Sequence, residues 1–183
     1  LVGPRYAAIL LKDASGSLSQ LLHEPEPVAY AQPRVMSKLK AASELVRRSL
    51  AEAMAHRNAM SSPGAAKDYL RLLLANRGHE VFVVLFLDVQ NRVIACEEMF
   101  RGTLTQTSVY PREVVKRTLE LNAAAVILAH NHPSGNVDPS RADEMLTQTL
   151  RAALALIDAR VLDHFIVAGK GNSILSMAER GLL

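Results

Sequence analysis

Apolar positions recur at intervals of three and four over much of the chain, and in one place they run almost without interruption. This contrast predicts its elements. From Arg34 to about Arg57, Val35, Leu39, Ala42, Leu45, Val46, Leu50 and Ala53 keep the helical interval, while Lys38, Lys40, Arg47 and Arg48 take much of the other surface. Upstream, Tyr6–Lys12 and Ser17–Leu22 are short apolar turns broken by Gly16. Pro25, Pro27 and Pro33 keep the following stretch irregular, because proline removes a donor and restricts its predecessor. Asn58–Gly64, with Ser61, Ser62, Pro63 and Gly64, is the expected linker. Ala65–Ala75 reads as a helix with Tyr69, Leu70, Leu73 and Leu74 as its stripe and Gly78 just past its end. Between Glu80 and Asp88 lies a β-branched and aromatic run that predicts a buried central strand. A turn at Asn91 leads to a second strand, Val93–Phe100. A helix opens on Pro111 and reaches about Asn122, with Val114, Val115 and Leu119 facing inward and Thr118 as a further inward candidate. Ala124–His130 is a strand, Ser140–Ile157 a helix, and Val161–Val167 and Ser173–Ser176 are short strands. Strands alternating with helices predict an α/β architecture over residues 61–183, a mixed sheet flanked by helices. A small helical region, residues 1–60, precedes it.

The 183 residues are 49% hydrophobic and 21% charged, a globular composition long enough for one domain with a small appendage. A chain of this length buries roughly 70% of its unfolded surface and needs no disulfide staples. Cys96 is the lone cysteine, which excludes an intrachain disulfide and any metal site built on several thiolates. Without a suited Cys/His arrangement it reads as a small core residue. No apolar run approaches the length of a membrane span, and the start lacks a signal peptide's three regions. A cytoplasmic protein is expected. The first residue is Leu, so a fragment of something longer is expected too. Residues 1–60 carry 8 Lys/Arg against 5 Asp/Glu, and residues 61–183 carry 13 of each, so the whole net charge of +3 lies in the first third. Such an excess can serve nucleic acid, but at this size it is usually a solvated surface.

The chemistry is concentrated in His130-Asn-His-Pro-Ser-Gly-Asn-Val-Asp-Pro-Ser140-Arg-Ala-Asp143. Side chains two apart on a strand share a face, so His130 and His132 can bind one ion. Pro133, Gly135 and Pro139 make the next stretch a turn-rich loop that can return Asp143 to the strand end. Two histidines, one aspartate and an open fourth position make the usual arrangement for catalytic zinc. Plainer readings stand beside this one. The histidines can be surface residues, and Ser140 can simply cap a helix, with Asp143 or Glu144 accepting from early backbone donors. Yet Asp143 aligns with Leu146, Leu150, Ala153, Leu154 and Ile157 on the buried stripe of that helix. A carboxylate there needs a partner, and a metal ion or an arginine would serve.

His-x-His, seven residues, then Ser-x-x-Asp resembles the JAMM signature of MPN-domain metalloproteases, matched here by His130, His132, Ser140 and Asp143. The string from His130 to Gly135 narrows the resemblance to the RadC-like branch. So do Phe100-Arg-Gly-Thr103, Pro111-Arg-Glu113, Asp163-His164 and the closing Gly181-Leu-Leu. The resemblance covers about residues 65–183. It implies an MPN/JAMM domain that holds one zinc ion and is a metallohydrolase, a peptidase or isopeptidase acting on a peptide or protein. It also implies an upstream glutamate as general base, for which Glu80, Glu97 and Glu98 are the candidates. Glu80 opens the first long strand, as the family's glutamate does, and Glu98 is the alternative. Glu80 would carry a proton from water to the leaving amine. Ser140 would donate to the tetrahedral oxyanion. Asn131, Ser134 and Asn136 would shape the pocket. His164 would either support a ligand or, as the favoured reading, be a strand-edge histidine with a hydrogen-bonded ring.

The N-terminal part resembles, through Leu39-Lys-Ala-Ala-Ser-Glu-Leu45, the helical region before the RadC-like catalytic domain, which commonly contains a helix-hairpin-helix. Tyr30 and Gln32 occupy positions where that motif's turn needs glycines, so the hairpin is degenerate and DNA is expected to bind weakly. Two rival functions follow, a DNA-associated repair or processing factor and an inactive protein-interaction module.

Overall fold

The computed structural model describes residues 33–55, 63–75, 77–102, 109–169 and 173–183. The elements in order are α1 (Pro33–Ala55), α2 (Pro63–Leu74), β1 (Val81–Leu87), β2 (Val93–Arg101), α3 (Pro111–Glu120), β3 (Ala125–His132), α4 (Arg141–Ala155), β4 (Arg160–Ala168) and β5 (Ile174–Ser176). The short turns expected over residues 6–22, the hairpin positions Tyr30 and Gln32, and residues 58–62 of the expected linker lie outside the described residues. Pro63 and Gly64, expected in that linker, belong to α2 instead. Pro33 likewise opens α1, a position where a missing N–H costs nothing.

The five strands form one sheet in the order β2-β1-β3-β4-β5. β1 pairs antiparallel with β2 and β3, β3 pairs parallel with β4, and β4 pairs antiparallel with β5. The architecture is thus the expected mixed sheet flanked by helices. Every residue of β1 is buried, because both faces of the sheet are covered. On one face Val81, Val83, Leu85 and Leu87 pack with Ile127, Ala129 and the α2 stripe Ala66, Tyr69, Leu70 and Leu74. Helix α1 lies on α2 and adds Leu50 to that cluster, with Cys96 of β2 at its margin. On the other face Phe82, Val84 and Phe86 pack with Val126, Leu128, Val114 of α3, and Leu150 and Leu154 of α4.

Turns close where the sequence supplies residues that tolerate positive φ: Asn91 at 57° between β1 and β2, Asn122 at 51° after α3, and Asp158 at 56° after α4. Helix α3 ends at Glu120, short of Asn122. Its inward face is Val114 and Thr118, and Leu119, expected inward, is 59% exposed. Thr118 is accommodated because its hydroxyl donates to the Val114 carbonyl at 2.7 Å. No helix among the described residues is long and apolar enough to cross a membrane. The β3–α4–β4 segment is a parallel crossover unit, and such units leave a crevice beyond the carboxyl ends of their strands.

Candidate metal centre

That crevice is where the unusual residues collect. β3 begins with five buried apolar residues, Ala125–Ala129, and ends in three polar ones. Alternation turns Leu128, His130 and His132 toward α4 and Asn131 toward the opposite face. Across the crevice, Ser140 caps α4 and forms a reciprocal capping box with Asp143: the Asp143 amide donates to Ser140 Oγ at 3.2 Å, and the Ser140 amide donates to Asp143 Oδ2 at 2.7 Å. The Ser140 hydroxyl also donates to Asp143 Oδ2 at 2.7 Å. The cap reading of Ser140 therefore holds, with Asp143 rather than Glu144 completing it. Asp143 is buried as its place on the helix stripe requires. Among the described residues its ionic partners are His130 and His132, with no arginine.

The loop after β3 is held at its root. The His132 carbonyl accepts from the Gly135 amide at 3.0 Å and the Gly169 amide at 2.8 Å. Gly135 has a φ of 88°, which a side chain would strain. Gly169 is required for space instead, since a Cβ there would stand 2.6 Å from Pro133 Cα and 2.7 Å from the His132 oxygen.

His130 Nε2 stands 2.9 Å from His132 Nε2 and 3.3 Å from Asp143 Oδ1, and His132 Nε2 stands 3.5 Å from Asp143 Oδ2. These three residues form a group able to hold a metal ion. Ligand atoms around a tetrahedral zinc with bonds of about 2.0–2.2 Å stand about 3.3–3.6 Å apart, so the set needs little adjustment to close on one ion. Its chemistry points the same way. His132 Nδ1 lies 2.8 Å from the Asn136 carbonyl, which can only accept, so the ring's proton is on Nδ1 and its Nε2 lone pair faces His130 and Asp143. Acceptors converging in this way need a cation among them, a metal or a proton.

The electrostatics describe that demand. Burial pushes the Asp143 carboxyl up, but His130 and His132, when protonated toward it, and the Ser140 hydroxyl outweigh it and hold the group well below the usual carboxylate range. The hydrogen bond to Asp143 raises His132, against burial, with the charge of Glu80 contributing. His164 is fully buried, and desolvation followed by repulsion from His130 drives it well below the ordinary histidine value, so it is neutral.

Glu80 lies immediately before β1. Phe82 is opposite His130, so extending the antiparallel register by two residues places Glu80 on the histidine face, level with His132. Its backbone is held from three directions. The Gly102 amide donates to the Glu80 carbonyl at 2.8 Å. On either side, the Asn131 amide group donates to the His79 carbonyl at 3.0 Å and accepts from the Val81 amide at 2.8 Å. Asn131, expected to shape the pocket, thus points away from it and grips the backbone around Glu80. Glu98 is paired with Val83, whose side chain belongs to the α2 face, and its carboxylate accepts from Arg101 at 2.9 Å. Glu97 accepts from Arg117 at 2.6 Å and 2.8 Å. Ser134 and Asn136 are exposed and build the loop: Ser134 Oγ accepts from the Asn136 amide at 3.4 Å, and Asn136 Oδ1 accepts from the Asp138 amide at 2.9 Å.

His164 is not at a strand edge. β4 is flanked by β3 and β5, and the ring is enclosed. Its Nε2 is 2.8 Å from His130 Nδ1, and its Nδ1 is 2.7 Å from Thr147 Oγ1. Phe82 packs edge-on to it at 5.7 Å and stacks on His130 at 6.3 Å between ring centroids. The preceding Asp163 ties down the C-terminal turn, accepting from Ser176 Oγ at 2.6 Å and from the Ala178 amide at 3.0 Å. Thr147 is the site residue that sequence reasoning missed. Its position four after Asp143, on the same helix stripe, was the available signal.

Residues 60–182 match the family of RadC-like JAB domains. A UPF0758 protein of Methylibium petroleiphilum is 60% identical over 177 residues, 94% of this chain and 79% of the relative. Another, from Dechloromonas aromatica, is 65% identical over 147 residues, 80% of this chain and 65% of the relative. A third, from Polaromonas, is 58% identical over 177 residues, 94% of this chain and 78% of the relative. With two thirds of its length matched and the two-histidine, one-aspartate group at its crevice, the chain belongs to the RadC-like JAB domain family.

Proposed function

We propose that the chain is a zinc-dependent hydrolase that cleaves a peptide or isopeptide bond. The observation that carries this reading is the convergence of His130 Nε2, His132 Nε2 and the Asp143 carboxylate, with Glu80 on the same face of the sheet. His130, His132 and Asp143 would hold the ion. When bound, zinc supplies Lewis acidity, which makes water acidic near neutral pH and polarises a carbonyl. Glu80 takes the proton from the attacking water and gives it to the leaving amine. Its fixed backbone sets where that transfer can occur. The Ser140 hydroxyl, now donated to Asp143, can turn to donate to a developing oxyanion. A complete donor set favours an active hydrolase over an interaction module. The proposed partner is a peptide or protein in a cytoplasmic setting, and any duplex DNA binding would be charge-driven and weakened by salt.

The test is Glu80→Gln beside Asp143→Asn, measured for zinc content and for cleavage of a peptide library. Glu80→Gln should keep about one equivalent of zinc and lose roughly 10²–10⁴-fold in rate, the usual contribution of general acid–base catalysis. Asp143→Asn should lose zinc and cleavage together. Glu98→Gln, on the far face, should change neither. Full activity in Glu80→Gln with activity lost in Glu98→Gln would move the base to Glu98. Cleavage unchanged in every variant would overturn the hydrolase reading.

A further inference from the structure

We propose that Thr147 and His164 form a proton-ordering relay that holds His130 in the one tautomer able to bind a metal through Nε2. This rests on the metal reading above, but the order of the protons follows from the chain's own contacts. Thr147 Oγ1 lies 2.6 Å from the Asp143 carbonyl oxygen. That carbonyl can only accept and is the nearest acceptor to the hydroxyl, ahead of His164 Nδ1 at 2.7 Å and Met177 Sδ at 3.7 Å, so the single hydroxyl proton is assigned there. The threonine oxygen then has only lone pairs to offer His164 Nδ1, 2.7 Å away, and Nδ1 must be the protonated nitrogen. The ring is enclosed, and among the described residues no carboxylate is within hydrogen-bonding reach of either nitrogen, so it carries one proton and its lone pair is on Nε2. That atom faces His130 Nδ1 at 2.8 Å, so His130 carries its proton on Nδ1. The His130 lone pair is left on Nε2, the nitrogen aimed at Asp143 and His132. Read from the metal end, ligation through Nε2 demands the same order.

Burial makes this order binding. Thr147 and His164 are 0% exposed and His130 is 1% exposed, so no solvent reaches the chain to exchange one tautomer for the other. The other histidine of the group needs no such device, because a carbonyl fixes His132 directly. The relay also closes on the site itself. It starts at the backbone of one candidate ligand, Asp143, and ends at the ring of another. Thr147 and His164 are accordingly positioning residues that act through His130. Partners of this kind are commonly worth about 10–100-fold in metal affinity.

The experiment uses the whole chain, with the histidine tautomers read from long-range nitrogen–proton NMR correlations on metal-free protein. Wild type should show both His130 and His164 protonated on Nδ1. Thr147→Val keeps the shape and removes the acceptor, so the His164 proton should shift in part to Nε2 and zinc affinity should fall about 10–100-fold. Thr147→Ser should restore both. Thr149→Val is the control. Its hydroxyl makes the same bond to the carbonyl four residues back, Met145 at 2.8 Å, but touches no histidine, so zinc affinity should be unchanged. A wild-type His164 protonated on Nε2, or a Thr147→Val protein that binds zinc as tightly as wild type, would overturn the relay. If Thr147→Val does not fold, the wild-type tautomer and the serine variant decide. A wild-type protein that takes up no zinc would overturn the metal reading instead, and the metal-free tautomers would still decide the relay.

Discussion

Two stretches of β3, Ala125–Ala129 and His130–Asn131, are buried to the same degree by different means. Ala125–Ala129 are enclosed by contacts that other apolar side chains of similar volume would make. His130 and Asn131 are as deeply buried, yet each contact depends on which atom donates. Only the first kind of burial is interchangeable. Apolar cores tolerate volume-conserving exchange, whereas a buried polar group left unpaired costs its full desolvation. The strand therefore works as a rigid apolar stem that delivers a chemically exact tip.

The largest effect should come from the stem. Leu128→Ala removes a fully buried side chain from the α3/α4 face and should cost about 2–5 kcal/mol in urea unfolding. Zinc affinity of the folded fraction should stay at the wild-type level; a parallel loss would mean that stem and tip are not separable. At the tip, Asn131→Leu keeps volume but strands the Val81 amide and the His79 carbonyl, for about 1–3 kcal/mol. Because this residue grips the backbone around Glu80 and points away from the ligands, cleavage should fall while zinc binding is spared. Zinc lost along with cleavage would place Asn131 in the metal site after all.

The smallest effect is in pH. Asp143 is held below its unfolded value near 3.9, so its contribution is present above that pH and is lost on further acidification. His132 is held above its unfolded value near 6.5, so its contribution is present below that pH and fades as pH rises through the folded value. Metal-free protein should therefore gain stability from pH 8 to about 6.5 and lose some below it, where the unfolded chain charges a histidine that buried His164 keeps neutral, while the zinc-dependent gain shrinks as protons compete for the histidines. Thermal midpoints with and without zinc across that range should converge, and parallel curves would argue that the ion binds elsewhere.

The apolar stem was legible in the sequence because continuous β-branched and aromatic runs have few structures open to them. The grouping of His130, His132 and Asp143 was legible because strand alternation and helix periodicity are local rules. The same alternation argued against the pocket role expected of Asn131, since a residue between His130 and His132 must face the other way. What local rules omit is which strands lie beside one another. His164 reads as an edge residue until β4 is known to lie between β3 and β5. Thr147 looks like an ordinary helix threonine until that ring is placed against it. Leu119 failed for a related reason: helical spacing locates a stripe, but the packing partner sets its width, and here Thr118 occupies the buried position.

Gly169 ties the history of one segment to that of another. With a Cβ excluded by the backbone of Pro133 and the oxygen of His132, no rotation of a flexible side chain can relieve a substitution there. A larger residue must displace the loop root, and with it His132. Anyone redesigning the loop between His132 and Ser140 inherits this coupling: positions 133 and 169 form a single unit of design although they lie 36 positions apart. A library that varies the loop alone samples only shapes that pass over a bare backbone. One that varies both positions together reaches loop roots the present chain cannot adopt.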